Sequence, residues 1–158
     1  MMKSPHPSVT QQQYIFGSLF LLSNKLQVIG DQFLVQDGMT IRQWFLTVMI
    51  LQFDQDPGPT LGEVARLMET SHQNVKQLAL KLQEKGFLTI EKDAQDGRAI
   101  RLQLTEKSRE YWKAKEPVQD LFLQKLFAGI TPDEITSTCE TFQKLFHNMD
   151  GWNNPLEK

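Results

Sequence analysis

The hydrophobic period of the sequence changes from helical to alternating directly after Gly86 and becomes helical again after Thr105. In that interval the alternation predicts β-strands over residues 87–90 and 98–104, because successive side chains of a strand point to opposite faces. Residues 93–97, Asp-Ala-Gln-Asp-Gly, have the composition of a hairpin turn. The rest of the chain has helical periodicity, so the predicted fold is mainly α with one small β-hairpin.

Four helices are predicted before the hairpin, over residues 8–35, 40–53, 61–68 and 71–85. Each of the first three begins with Ser or Thr followed three residues later by Gln or Glu, which is the pattern of a capping box. These pairs are Ser8 with Gln11, Thr40 with Gln43, and Thr60 with Glu63. The fourth helix begins after Ser71, a favourable N-cap, and ends at Gly86, where a left-handed residue is expected.

Two helices are predicted after the hairpin, over residues 106–127 and 132–149. Pro117 lies inside the first of them, so a kink or break is expected there, because its ring clashes with the preceding turn. Thr131 followed by Pro132 is typical of a helix start. Both ends of the chain carry apolar residues at helical spacing, which indicates amphipathic helices. These residues are Ile15, Leu19, Leu22, Leu26, Ile29 and Phe33 in the first helix and Ile135, Cys139, Phe142, Phe146 and Met149 in the last.

The order of the central elements predicts a winged helix-turn-helix. The last three helices before the hairpin (40–53, 61–68 and 71–85) are its three helices, and a short turn separates the second of them from the third. In such a domain the third helix enters the major groove of DNA. Its exposed side chains are therefore the candidate DNA contacts: Gln and Asn can pair with adenine, and Lys can reach guanine or a phosphate. The candidates in helix 71–85 are Ser71, His72, Gln73, Asn74, Lys76, Gln77 and Lys81.

The charge is distributed unevenly along the chain. The formal net charge is −2, from 17 basic and 19 acidic residues. Residues 70–115 contain ten Lys/Arg and six Asp/Glu, a net charge of +4, and the remainder of the chain carries −6. A positive segment in an acidic chain would orient the protein on a polyanion, although an ordinary solvated helical face has a similar pattern.

Three segments resemble the MarR family of winged-helix transcription factors, and the resemblance spans about residues 10–148. Residues 61–65 (Leu-Gly-Glu-Val-Ala) match the first helix of the DNA-reading unit, and residues 82–88 (Leu-Gln-Glu-Lys-Gly-Phe-Leu) match the end of the recognition helix. Residues 93–105 resemble the wing of the family, Asp-x-x-Asp-Arg-Arg followed by an alternating strand and Leu-Thr. The wing is the most specific of the three.

The resemblance implies an obligate homodimer built from a single domain, residues 1–158. Residues 8–35 and 105–149 would form the dimerisation helices, and residues 40–104 the DNA-binding winged helix-turn-helix. Family members bind pseudo-palindromic double-stranded operators, with each recognition helix in the major groove and each wing directed to the minor groove. Many repress transcription and leave the DNA when a phenolic or other small ligand binds, or when a cysteine is oxidised.

The wing departs from the family pattern at one position, because the paired arginines are replaced by Gly97-Arg98. Arg98 is expected either to enter the minor groove or to pair with Asp93 or Asp96 and brace the hairpin. Arg101 is expected on the polar face of the second strand, where it would brace the wing or contact a phosphate. Both arginines are therefore candidate DNA contacts, and both acids are candidate bracing residues.

A ligand crevice is expected where the dimerisation helices meet the winged helix-turn-helix. Arg42, Trp44, Tyr111 and Trp112 could line it for a small aromatic or anionic ligand, with Arg42 facing a carboxylate. The alternative for the three aromatic residues is an ordinary place in the core. Cys139 lies on an apolar helix seam and is expected to be buried rather than reactive.

Two other classes of function remain. The alternative to a DNA-binding regulator is a winged-helix module that has lost DNA binding and contacts other proteins. An enzyme has the weakest support, because no phosphate loop, nucleophile motif or metal-ligand spacing is found, and neither a metal nor a cofactor is expected. With no apolar run long enough to cross a bilayer and no visible secretory signal, we expect a cytoplasmic protein without a membrane partner.

Overall fold

The computed structural model describes residues 8–53 and 57–150. It confirms the predicted fold class, because the described residues form helices and one antiparallel two-stranded sheet. In chain order the elements are α1 (Gln11–Leu34), a short 3-10 helix (Val35–Asp37), α2 (Ile41–Leu51), α3 (Leu61–Leu67), α4 (His72–Glu84), β1 (Leu88–Lys92), β2 (Ile100–Leu104), α5 (Glu106–Leu126) and α6 (Pro132–Met149). The chain divides into two compact units, one ending at Trp112 and the other beginning at Lys113.

The helices begin where the capping pattern predicts, with one correction. Thr40 and Thr60 form the predicted capping boxes at the starts of α2 and α3. The prediction for α1 was wrong by two residues, because its N-cap is Thr10 and not Ser8. The Thr10 hydroxyl accepts the Gln13 N–H at 3.2 Å, and the Gln13 side chain accepts the Thr10 N–H at 2.9 Å. Ser8 and Thr10 are each followed by glutamine three residues later, so the spacing did not distinguish them.

The hairpin is present but its strands are shifted from the predicted ranges of 87–90 and 98–104. β1 extends two residues further, to Lys92, and β2 begins only at Ile100. The turn between the strands is longer than a two-residue turn at Asp96-Gly97. It includes Ala99, whose N–H donates to the carbonyl of Asp96 at 2.8 Å.

The end of α4 and the middle of α5 test two further predictions. Gly86 has the predicted left-handed backbone, with φ at 73°, and ends α4. Of the kink or break predicted at Pro117, the break is wrong, since α5 is assigned as one helix from Glu106 to Leu126 with Pro117 inside it. A proline removes one N–H from the ladder of backbone hydrogen bonds, and the bonds on either side of it are sufficient to continue the helix.

The hydrophobic core lies between α2, α3, α4 and the hairpin. It includes Leu46, Val64, Leu82 and Leu102, none of which has any exposed surface. The long helices contribute little: only Gly30 and Leu34 of α1 and Ser108 of α5 are buried, and no residue of α6 is. None of the helices in the described part of the chain is both long enough and apolar enough to span a membrane.

The loop before α3 packs directly on the wing. Gly58 and Pro59 are buried, the Pro59 carbonyl accepts the Leu102 N–H at 2.9 Å, and Thr60 forms an isolated bridge with Arg101. A Cβ atom added to Gly58 would overlap the backbone carbonyl oxygen of Leu102. The close contact between this loop and β2 therefore requires glycine at position 58.

The substitution Gly58→Ala is expected to destabilise the protein by about 1–3 kcal/mol, because the loop must move away from β2. The midpoint of thermal unfolding, followed by circular dichroism, should fall by several degrees. Gly97→Ala is the matched control, since no atom lies within 4 Å of its added Cβ. Equal midpoints for the two variants would contradict the proposed packing of the loop.

Candidate nucleic-acid interface

The turn that joins α3 to α4 sets the direction in which α4 leaves the core. Residues 68–71 form it, with Glu69 in a left-handed conformation at φ 48°. The Thr70 N–H donates to the Ala65 carbonyl at 3.0 Å, which ties the turn to α3. Ser71 caps α4 as predicted. The two helices and this turn form the helix-turn-helix that the sequence predicted.

The face of α4 opposite the core carries polar side chains. Val75, Ala79 and Leu82 are buried on the inner face. Of the candidate DNA contacts on this helix, all but one are exposed, and Asn74 is half-buried. The exposed ones are Ser71, His72, Gln73, Lys76, Gln77 and Lys81. The structure therefore places the predicted residues together on one accessible helix.

The two lysines of this face are available for a polyanion. In the described part of the chain, neither Lys76 nor Lys81 has a carboxylate within 4.0 Å, whereas Arg109 has one. The first turn of α4 has no acidic residue. An exposed helix that does not bind DNA more often carries Glu–Lys pairs four residues apart, which are absent from this face.

The side chain of Asn74 is held by Thr70, which the sequence did not single out as a site residue. Its amide nitrogen Nδ2 donates to the Thr70 hydroxyl oxygen at 2.9 Å. The only sequence signal for this contact is a Thr four residues before an Asn across a helix start, which is a common combination and therefore a weak predictor.

The C-terminal end of α4 is also anchored, by two lysines that the sequence did not single out. The Lys85 ammonium donates to the carbonyl of Gly38, in the turn between α1 and α2. The Lys107 ammonium donates to the carbonyl of Lys85 at 2.7 Å and lies 5.0 Å from the centre of the Phe87 ring. These lysines join α4 to the segments before α2 and at the start of α5.

Arg101 braces the wing. Its Nε donates to the Asp93 carboxylate, and its Nη1 donates to the Gly58 carbonyl at 2.7 Å. Both groups are partly or fully buried, since the side chains of Arg101 and Asp93 expose 27% and 6% of their surface. The bracing alternative for Arg101 is therefore supported, and its contact with a phosphate stays a prediction.

The Asp93 carboxylate also organises the turn of the hairpin, as predicted for a bracing residue. It accepts the backbone N–H groups of Asp96 and Gln95, at 2.6 and 2.8 Å. These bonds to Asp96, Arg101 and Gln95 lower the pKa of Asp93 from 3.8 to about 2. Asp96 braces the same turn through its own carboxylate, which accepts the Arg98 N–H at 3.0 Å.

Arg98 is at the exposed end of the wing. Among the described residues its guanidinium has no ion-pair partner, and the Asp93 carboxylate is already bound to Arg101. In the described part of the chain the Arg98 side chain makes no ion pair with Asp93 or Asp96, and its backbone N–H donates to the Asp96 carboxylate. Its contact with DNA stays a prediction.

The four candidate ligand residues do not form one cluster of bonded groups. Tyr111 and Trp112 pack edge to face, with ring centres 4.7 Å apart, and Tyr111 packs in the same way on Phe87 at 5.1 Å. Trp44 is half-buried against the core. Arg42 is exposed and donates to the Gln27 side chain at 3.3 Å. The aromatic residues thus occupy ordinary core positions, the alternative stated for them.

The helices at the chain ends expose many apolar side chains. On α1, Phe16 and Phe20 pack on each other and still expose 65% and 60% of their surface. In the second unit, Leu121 and Phe146 are also largely exposed. The predicted burial of Cys139 was wrong for the single chain, because this residue is exposed and the structure buries no residue of α6 among those that it describes. No group of residues in the described part of the chain could hold a metal ion.

Comparison with known proteins agrees with this geometry. Residues 37–99, which extend from the turn before α2 to the tip of the wing, match the family model described as MarR family. Over these residues the chain is similar to the MarR family. The match covers the helix-turn-helix and the contact of Lys85 with Gly38, and it ends before Lys107.

Two proteins named as regulators of transcription and one solved protein–DNA complex are similar to the chain over most of its length. The transcriptional activatory protein BadR of Rhodopseudomonas palustris is 22% identical over 136 residues, covering 85% of this chain and 78% of BadR. The transcriptional repressor MprA of Escherichia coli K12 is 22% identical over 148 residues, covering 93% of this chain and 84% of MprA. The crystal structure of the S. aureus MepR–DNA complex has a similar fold, with a TM-score of 0.73, 22% identity, and coverage of 89% of this chain and 99% of MepR.

The lowered pKa of Asp93 predicts a specific pH dependence. Because the folded chain holds this pKa below that of the unfolded chain, the ionised carboxylate stabilises the fold above about pH 4, and this stabilisation is lost as the pH falls towards 2. A carbon-detected NMR titration of the Asp93 carboxyl should give a midpoint of about 2. In Arg101→Gln the midpoint should rise, while in Arg98→Gln it should stay unchanged. A wild-type midpoint near 4 would show that the bracing contacts are absent in solution.

Proposed function

We propose that this chain is a dimeric, sequence-specific regulator of transcription that binds double-stranded DNA, rather than an enzyme. We also propose that it represses its targets and leaves the DNA when a small ligand binds. The observation that carries the proposal is the exposed polar face of α4, with two lysines that have no ion-pair partner among the described residues. The match of residues 37–99 to the MarR family model supports it, and a cytoplasmic location is proposed from that role.

The DNA contacts divide into two kinds. Gln73, Asn74 and Gln77 have donor and acceptor groups that can read base edges in the major groove. Lys76 and Lys81 can neutralise phosphates or reach guanine, and Arg98 can enter the minor groove from the wing. His72 and Ser71, at the first turn of α4, would contact the backbone, because N–H groups at a helix N-terminus favour a phosphate.

A homodimer with a pseudo-palindromic operator is proposed from the apolar surface of the chain-end helices. Phe16, Phe20 and Leu22 of α1 are more than half exposed in the single chain, and so are Leu121 and Phe146 of the second unit. Exposed apolar surface on this scale, in each of the two units, is unusual on a monomeric protein. A second copy of the chain would bury these side chains and would supply the second recognition helix for a twofold operator.

Ligand release is proposed from buried polar atoms on α5. Ser108 Oγ and Trp112 Nε1 are buried and have no hydrogen-bond partner among the described residues. They are four residues apart and therefore lie on the same face of the helix, one turn apart. Such orphaned groups are costly, so a polar group of a small aromatic or anionic ligand would be stabilised there, with Arg42 as the proposed partner of a carboxylate.

A protein-interaction module is the second candidate function. It is favoured by the wing, where Gly97 replaces one of the two arginines that the family pattern has at its tip. Duplex binding at low salt separates the two candidates, because a module that has lost DNA binding should not bind duplex DNA even under that condition.

Binding to a mixed-sequence duplex, followed by fluorescence anisotropy at several salt concentrations, is expected to show a log–log slope of about −5, as ~6 phosphate contacts require. Lys76→Ala, Lys81→Ala and Arg98→Ala should each weaken binding to all sequences and reduce the slope by about one. Lys144→Ala, an exposed lysine of α6, is the control and should change neither quantity. No binding at about 50 mM salt would instead favour the protein-interaction module.

The substitution Phe20→Glu is expected to weaken the dimer by roughly 100-fold or more, because it places an unpaired charge in each copy of the proposed interface. Sedimentation velocity at micromolar concentrations would measure this as a shift from dimer to monomer. Gln77→Glu adds the same charge to the exposed face of α4 and should remain a dimer. A wild-type chain that sediments as a monomer would contradict the proposed assembly.

A further inference from the structure

We propose that Thr70 is a positioning residue that determines which base Asn74 reads. The proposal rests on the proposed function, since it concerns how α4 recognises DNA. Thr70 itself is in the turn before α4 and is not one of the residues expected to contact DNA. It acts through one hydrogen bond, from Asn74 Nδ2 to the Thr70 hydroxyl oxygen at 2.9 Å.

The position of the Thr70 hydroxyl is fixed by its surroundings. Its own backbone N–H donates to the Ala65 carbonyl of α3 at 3.0 Å, and the residue is half-buried. Threonine is branched at Cβ, which restricts the rotation of its side chain. The hydroxyl therefore belongs to the rigid turn between the two helices, and Asn74 is bonded to that turn rather than free to rotate in solvent.

This bond decides which groups of Asn74 remain for a base. An asparagine amide has two N–H donors and one carbonyl acceptor. With one N–H on Thr70, one donor and the acceptor remain, which is the combination that the N7 and N6 atoms of adenine require in the major groove. A freely rotating amide can exchange the places of its oxygen and nitrogen and would accept other bases more readily. The Thr70 hydroxyl thus favours adenine at the position that Asn74 faces.

The cap of α4 does not depend on this hydroxyl. Ser71 is the N-cap, and its side chain accepts the Asn74 backbone N–H at 3.2 Å. Thr70→Val keeps the shape of the side chain and removes only the hydroxyl, so the helix start is retained. Thr70→Ser keeps the hydroxyl and loses a methyl group, which makes it the conservative variant for the same position.

The test begins with the duplex that the wild-type chain selects from a random library. Single base pairs of that duplex are then changed, and the position at which Asn74→Ala loses its preference identifies the base that Asn74 reads. At that position Thr70→Val is expected to lower the discrimination between bases by about 3- to 10-fold, because the amide must be ordered on binding. Thr70→Ser should retain the wild-type ratio, and all variants should keep the wild-type salt slope.

A double-mutant cycle supplies the control. In the background of Asn74→Ala, adding Thr70→Val should cause no further loss, since the hydroxyl acts only through that amide. In the background of Gln77→Ala, the same addition should still lower discrimination at the Asn74 position. Independently of DNA, the Asn74 side-chain amide signals in an NMR spectrum should shift in Thr70→Val and not in Thr70→Ser.

Three results would overturn the proposal. If Thr70→Val selects the same base as the wild type with the same ratio, the hydroxyl does not position Asn74. If it weakens binding to every duplex equally, or unfolds while Thr70→Ser loses the base preference as well, the role of Thr70 is structural only. If the wild-type chain itself selects no sequence, the proposed function fails together with the role of Thr70, and this outcome is distinct from the other two.

Discussion

The burial of one face of α4 is the constraint on which the candidate interface depends. Val75, Ala79 and Leu82 are completely excluded from solvent and recur at the helical period, so burying them fixes the rotation of the helix about its axis. Once that rotation is fixed, the side chains opposite must face solvent. Gln73 and Gln77 therefore point outwards because the other side of the helix is packed on the core. The hydrophobic effect, by burying that side, determines the orientation of the groups that would read DNA.

The two arginines of the wing differ in the partners of their side chains. Arg101 joins the strand to the turn through Asp93 and to the loop before α3 through the Gly58 carbonyl. A guanidinium with these partners is held in place and is poorly placed to insert into a groove. The Arg98 guanidinium has no ion-pair partner among the described residues, so its side chain is not tied to the wing. The glycine at position 97 thus removes one free cation and leaves the brace intact.

Most of the fold follows from local patterns, whereas the network that anchors the site does not. Helix starts, the left-handed Gly86 and the hairpin depend on residues three or four apart or on strict alternation, which a sequence displays directly. The contacts of Lys85 with Gly38 and of Arg101 with Gly58 join residues 47 and 43 positions apart. The residues around Lys85 and Arg101 show no sequence pattern that indicates these partners, because long-range contacts depend on how the helices pack.

The same reasoning explains why Cys139 was expected to be buried and is exposed in the single chain. A helical seam in the sequence shows that a face is apolar, but not whether its partner lies in the same chain. Of α1, Gly30 and Leu34 are buried and Phe33 packs partly on the core, while most of the apolar side chains of this helix stay exposed in the described chain. Long helices with uncovered apolar faces are not explained by the stability of one folded chain, because they leave hydrophobic surface in water. A twofold assembly would remove that cost and would also double the number of base contacts, so one set of helices would serve stability and recognition together.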